Sequence, residues 1–310
     1  MTAVAQAARR PASPSGGRAG GPRPALGRNT WLYLLPALVY LAALSIFPLI
    51  QLVRLSVGDV AVSNLYGDWP FVGLANFVEG FRSGVLSESL WRTLIFVVIV
   101  TVVAMVGGVA TAVAMRGTGR WSSWLLAIMV FVWALPPVIN GSVWKFLLAE
   151  EGLLNIVVRA LGGSTIPFLY DERLALFSIA FVNSWAIIPF NALVFRAAIL
   201  GIDAEVFEAA QLDGAKPSQE LRYLLLPMLK PTALVLFVLT VVNAFRSFDF
   251  IYVMTRGGPG TSTQTLPYLS FQQAFVGYDF SAGAATSVLS LVMVLVLAIV
   301  YARAVLKEEL

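Results

Sequence analysis

A few polar and aromatic side chains stand where an apolar sequence offers little company for them. Asn183, Ser184 and Trp185 fall in the middle of an uncharged run, with Pro189 and Phe190 a turn or so later; Asn243 and Ser247 stand four apart in another run, beside Arg246 and Asp249. Amides and hydroxyls exchange hydrogen bonds and aromatic faces stack, so these residues suit reversible binding of a polar solute rather than bond making. Polar groups placed in lipid are costly and usually functional. For each Asn, a hydrogen bond between neighbouring helices is the competing reading. Arg246 and Asp249, three apart, fit an ion pair on one helix face, and Asn140, beyond Pro136-Pro137, is a further polar candidate.

Covalent chemistry has few residues to work with. The 310 residues include no Cys and no His, which excludes disulfides, thiol nucleophiles, imidazole bases and nearly every zinc, copper or haem site. No metal site is expected. A G-x-x-x-x-G-K-[ST] phosphate loop is also absent, since none of Lys145, Lys216, Lys230 or Lys307 follows a glycine. The acid pairs Glu150-Glu151 and Asp171-Glu172 read as solvated loop charges. The chain is therefore expected not to be an enzyme and to bind no cofactor of its own.

The elements that must hold these side chains are membrane helices. Hydrophobic residues make up 58% of the chain and charged residues 12%, whereas a soluble domain carries about 25% charged residues. Apolar runs near the roughly 20 residues needed to cross a bilayer lie at about 32–53, 93–115, 121–144, 174–195 and 280–302; a sixth, about 231–255, carries Arg246 and Asp249 near one end. The reading is an all-α membrane protein with six transmembrane helices. Alternate connections hold the basic residues: 13 of the 21 Lys and Arg fall on the side of the two termini, with 7 of the 17 acids. Lys and Arg are retained in the cytoplasm, so both termini are placed there. Residues 1–30, with five Arg, four Pro, five Gly and no acid, cannot bury a core and read as a disordered cytoplasmic tail, leaving 31–310 as the membrane domain. Ala104, Gly108 and Ala112, spaced by four, permit close helix approach within the chain or at a subunit interface.

The longest cytoplasmic connection, 201–230, reads as two short helices with a sharp corner. Asp203 is a plausible N-cap and Glu205 lies in the first turn, where the helix dipole favours an acid. Gly214 supplies a left-handed C-cap, and Lys216-Pro217-Ser218 begins a second helix with Leu221, Leu224 and Leu225 on an apolar face before Pro227.

Glu208-Ala209-Ala210, Asp213-Gly214-Ala215 and Leu224-Leu225-Leu226-Pro227 resemble the EAA loop of bacterial ATP-binding-cassette (ABC) importer permeases, with Leu224 where Ile is usual. Tyr33-Leu34-Leu35-Pro36, Phe47-Pro48, Phe71 to Phe77 and Trp91-Arg92-Thr93-Leu94 are similar to the opening of maltose-type and glycerol-phosphate-type permeases, with Arg92 in place of a common Asn. Tyr252 to Pro259, with its Gly257-Gly258-Pro259, looks like the first permease of a heterodimeric carbohydrate importer. The resemblance implies the type I importer permease fold in a bacterial cell membrane, a second permease subunit, two ATP-binding subunits that hold ATP and magnesium, and an extracytoplasmic solute-binding protein. It implies no nucleic-acid partner. In such proteins the EAA loop, here Glu208, Ala209, Ala210, Asp213, Gly214, Ala215, Leu226 and Pro227, docks in a cleft of the ATP-binding subunit. Maltose-type sugar contacts map to Phe190, Asn243, Ala244 and Ser247; Phe190, Asn243 and Ser247, with Asn183 and Trp185, form the expected substrate pathway. Ala244 cannot donate a hydrogen bond, so the cargo contacts differ from those for maltose. A di- or oligosaccharide is the first cargo expected and glycerol-3-phosphate or its diesters the second. A secondary transporter, the reading from another class, would need a membrane-buried carboxylate or His, and the five clean runs contain none.

Overall fold

The computed structural model describes residues 30–117 and 119–308, and the chain divides into one unit up to Ile50 and another from Gln51 onward. The described residues of the first unit belong to helix α1 (Thr30–Ser56), which carries Pro36 and Pro48 within it; membrane helices tolerate such prolines because local adjustment re-satisfies the freed carbonyls. All but the last residue of the tail expected over 1–30 falls outside the described residues. The second unit contains α2 (Ala75–Arg82), α3 (Val85–Ala114), α4 (Arg120–Ala134), α5 (Pro137–Leu147), α6 (Leu153–Ala160), α7 (Ala175–Leu200), α8 (Ala204–Leu212), α9 (Lys230–Phe245), α10 (Asp249–Met254), α11 (Leu266–Phe271) and α12 (Phe280–Glu308). Among the described residues β pairing is confined to isolated bridges.

Helices α1, α3, α7 and α12 cover four of the apolar runs. α3 begins about two turns before its run, because Glu88 and Arg92 bond to each other at 2.8 Å along the helix and so do not end it. The third run departs from expectation. It is not one helix over 121–144 but two, α4 and α5, bent by 104°. Leu135 and Pro136 are extended, with ψ of 127° and 138°, because each precedes a proline whose ring disfavours the helical conformation. Five helical stretches among the described residues are long and apolar enough to cross a membrane, six if the bent pair is one span. One of the five, Lys230–Met254, is itself interrupted between α9 and α10.

Packing is densest where α3 meets α7. Ala104 and Ala112 are fully buried, and a Cβ added to Gly108 would lie 2.7 Å from the Asn191 Cβ. The small-residue stripe therefore serves packing within this chain. Asn191 locks the contact: its amide Nδ2 donates to the Ala104 carbonyl (3.3 Å) and to Thr240 Oγ1 of α9 (3.1 Å). Three helices are thus joined by one buried side chain. On the other side of α3, Val98, Val102 and Val106 are exposed, as expected of a face turned to lipid.

Substitution of Gly108 by Val should push α3 off α7 and destabilise the protein by about 1–3 kcal/mol, the usual cost of overpacking. Gly117→Ala, whose added Cβ meets nothing within 4 Å, should leave stability unchanged. Thermal unfolding of the two detergent-solubilised variants checks the contrast, and equal transitions would remove the close-packing explanation.

Candidate functional site

Two helix breaks, one of them at Pro136-Pro137, and one intact helix line a polar cavity of about 360 Å³. The α4–α5 bend contributes Trp133, Leu135 and Pro137; α7 contributes Asn183, Ala186 and Ile187; the α9–α10 break contributes Asn243, Arg246, Ser247 and Asp249. A helix interruption suits this place, since irregular backbone at membrane depth is tolerated where it lines a cavity.

Asn183 is 3% exposed, and its Nδ2 donates to Ser247 Oγ at 2.6 Å. The amide oxygen Oδ1 has no hydrogen-bond partner. The pair thus meets the interhelical reading at one end of the amide and leaves an acceptor at the other. Asn243 is exposed and donates back to the Leu239 carbonyl of its own helix at 2.9 Å. Asn243 and Ser247 were expected on one continuous helical face; the helix ends between them, yet both still line the cavity. The ion pair expected between Arg246 and Asp249 is not formed, whereas Arg92–Glu88, Arg116–Glu220 and Arg159–Glu151 are paired. Helical i,i+3 geometry is lost because α9 stops at Phe245 and α10 restarts at Asp249. Both charges are exposed and face the cavity.

The remaining sequence candidates fall outside the cavity lining. Trp185 meets Trp144 edge-on, with ring centroids 6.0 Å apart. Phe190 stacks on Trp133 at 6.3 Å, and so backs a ring that does line the cavity. Ala244 is buried in the core, and Ser184 Oγ donates to the Ala180 carbonyl at 2.7 Å. Asn140 is buried on α5 with its Nδ2 unpartnered. Sequence reasoning missed Trp133, Asn191 and Thr240. Asn191 carried the same signal as Asn183, a lone amide in an apolar run, two residues beyond the noted Pro189.

The connection between α7 and α9 forms the second feature. Asp203 occupies the N-cap position of α8, although its carboxylate makes no capping bond. At the other end Gly214 has φ +71°, the Ala215 N–H donates to the Ala210 carbonyl at 3.0 Å and the Gly214 N–H to the Gln211 carbonyl at 3.0 Å. That double bond pattern is a Schellman cap, which requires a left-handed residue at this place. After the corner the Lys216 N–H is capped by Gln219 Oε1 at 2.8 Å. The backbone then runs through helical turns to Met228, widened to π geometry over Glu220–Leu225. This widening precedes Pro227, whose missing N–H would otherwise leave a gap in the regular ladder. Glu208, Ala209, Asp213, Gly214, Leu226 and Pro227 are all exposed, and Ala210 and Ala215 partly so. Leu212 at the corner is 89% exposed and Tyr223 70%.

Residues 104–306 match the family model described as "Binding-protein-dependent transport system inner membrane component". The chain is 30% identical over 275 residues to the trehalose/maltose transport system permease protein MalF of Thermococcus litoralis, covering 88% of this chain and 92% of that protein. It is 31% identical to the sn-glycerol-3-phosphate transport system permease protein UgpA of Pectobacterium atrosepticum, covering 89% and 94%. Its fold is similar to a chain of a bacterial alginate ABC transporter solved with a periplasmic protein bound to alginate pentasaccharide, with a TM-score of 0.74, 21% identity, and coverage of 89% and 94%. An inward-facing methionine ABC transporter shares the fold at a TM-score of 0.54 with 20% identity, covering 73% of this chain and 97% of that one.

A double-mutant cycle tests the polar link that closes the cavity. Ser247→Ala and Asn183→Leu, singly and together, should give a coupling of about 0.6 kcal/mol and not above about 1.7 kcal/mol, the range of side-chain hydrogen bonds in membrane proteins. Thermal or chemical unfolding of the four forms measures it, and strict additivity would show that the two side chains do not interact.

Proposed function

The chain belongs to the family of binding-protein-dependent transport system inner membrane components, and we propose from this that it is the permease subunit of an ATP-driven importer for a sugar, forming half of the translocation pathway in a bacterial cell membrane. The observation that carries the mechanism is the glycine-cornered loop at Gly214, rigidly capped and exposed. With the termini and this loop on the cytoplasmic side, as the distribution of Lys and Arg favours, Glu208 to Ala215 with Leu226 and Pro227 form the peg that enters a separate ATP-binding subunit. The exposed Leu212 and Tyr223 supply apolar area that such a docking would cover. Closure of two ATP-binding subunits then moves α7 and α9, the helices that flank the loop, and opens the cavity to one side after the other. A second, related permease completes the pathway and an extracytoplasmic binding protein delivers the cargo. ATP and its magnesium reside on the partner subunits, and this chain performs no catalysis.

Cargo contacts fall to Asn183, Asn243 and Ser247, with Trp133 backed by Phe190 as an aromatic wall, while Trp185 packs edge-on against Trp144 outside the lining. The amides and hydroxyl suit sugar hydroxyls. The cavity places Arg246 and Asp249 together, so it offers no net charge to an anion; this favours a neutral di- or oligosaccharide over glycerol-3-phosphate. The relative named for trehalose and maltose transport supports the same choice.

The purified chain alone should hydrolyse no ATP. In the assembled complex, Asn243→Ala combined with Ser247→Ala should lower uptake at limiting sugar while the complex purifies intact; unchanged uptake would remove these residues from the pathway. Gly214→Val should insert normally, because its Cβ meets open space and the cost of about 1–2 kcal/mol for a left-handed side chain stays local. It should nevertheless lose the ATP-binding subunit or the stimulation of hydrolysis by loaded binding protein. Co-purification and ATPase assays decide this, and normal stimulation would overturn the coupling-loop reading.

A further inference from the structure

Glu220 is an acid that neither the cavity nor the exposed docking surface uses. It lies in the π-widened turn just beyond the Gly214 corner, and it is only 8% exposed. A carboxylate withdrawn from water in this way needs a cation. The partner comes from 104 positions away: the Arg116 guanidinium, beyond the C-terminal end of α3, donates to Glu220 Oε1. The same corner is tied in two further directions. The carbonyl of Met115, the preceding residue, accepts from Arg196 Nε of α7 at 2.9 Å and from Ser122 Oγ of α4 at 2.7 Å. Met115 itself is fully buried. One residue pair, Met115-Arg116, therefore joins the ends of α3, α4 and α7 to the loop that follows Gly214.

We infer that Arg116 and Glu220 are positioning residues that carry movement of the coupling loop to α3 and α4, so that the loop drives four helices rather than only α7 and α9, which it joins through the backbone. This rests on the reading of the loop as the ATP-binding subunit's docking peg. The reason is mechanical and electrostatic together. A loop attached only through its own backbone could tilt α7 and α9 while α3 slipped against them. The buried carboxylate resists that slip, because separating it from Arg116 would leave a charge out of water without a partner. α4 leads into the bend at Leu135-Pro136 that walls the cavity, so the brace also links the loop to the cavity's far side.

The test uses the whole importer in proteoliposomes with loaded binding protein, measuring solute uptake per ATP hydrolysed beside the yield of co-purified ATP-binding subunits. Arg116→Met and Glu220→Gln keep approximate size and remove one charge each. Both should assemble at the unsubstituted yield, yet lose uptake per ATP by about five- to tenfold, the lower range of a site-to-site coupling. Arg116→Lys, which retains the cation, should recover most of that loss. An unchanged ratio in Arg116→Met and Glu220→Gln would overturn the inference. So would equal loss in Arg116→Lys and Arg116→Met, or a loss of the ATP-binding subunits from the complex, which would assign the pair to docking. Gly214→Val measured alongside separates the two failures: normal coupling there sinks the loop reading itself, whereas uncoupling there with normal Glu220→Gln sinks only the brace.

Discussion

The approach of α3 to α7 at Gly108 is the contact on which the rest of the described helical unit depends. Lipid provides no hydrophobic drive to press helices together, so association relies on close van der Waals fit and on polar groups that find each other. Gly108 supplies the fit by admitting the Asn191 Cβ, and the Asn191 amide fastens the backbone of α3 to Thr240 of α9. With three helices held at that point, their ends on either side acquire defined positions. One end carries the corner of Met115 and Arg116, bonded to Arg196 and Glu220. Towards the other end Asn183 of α7 faces Ser247 beyond the end of α9.

The candidate site lies where helices are interrupted. Pro136 and Pro137 turn the chain between α4 and α5, and residues 246–248 separate α9 from α10. An unbroken helix satisfies its own backbone and presents only side chains. A break frees backbone groups and redirects the residues after it, so Asp249 reaches the same cavity as Asn243 and Ser247, although a continuous helix would carry it away from the face those two share. The same local lesson holds at Gly214, where the left-handed cap turns one helix sharply into the next segment and leaves Leu212 pointing into solvent.

Charge follows burial in a consistent way. Arg246 and Asp249 remain exposed to the cavity without each other, Arg92 and Glu88 pair along a helix, and Glu220 is buried only because Arg116 meets it. The single buried acid of the loop is thus also a tie between distant parts of the sequence, whereas the acids on the outer face of α8, Glu205 and Glu208, are exposed.

Composition and local pattern were enough to read the helical class, the apolar runs and the glycine corner, because each depends on residues close in sequence: run length against bilayer thickness, a proline's missing N–H, a glycine's access to positive φ. Asn183, Asn243 and Ser247 were also legible as candidates, since a polar side chain in an apolar run is conspicuous wherever it points. What tertiary structure decided was every pairing across the chain. Only the fold brought Asn183 to Ser247, set Asn191 on Gly108, joined Arg116 to Glu220, and stacked Phe190 on Trp133 instead of turning it into the cavity. The expected Arg246–Asp249 pair and the single helix over 121–144 went the other way for one reason. Helical spacing places neighbours on a common face only while the helix continues, and whether it continues through two prolines or a charged turn is settled by what the packed neighbours can satisfy.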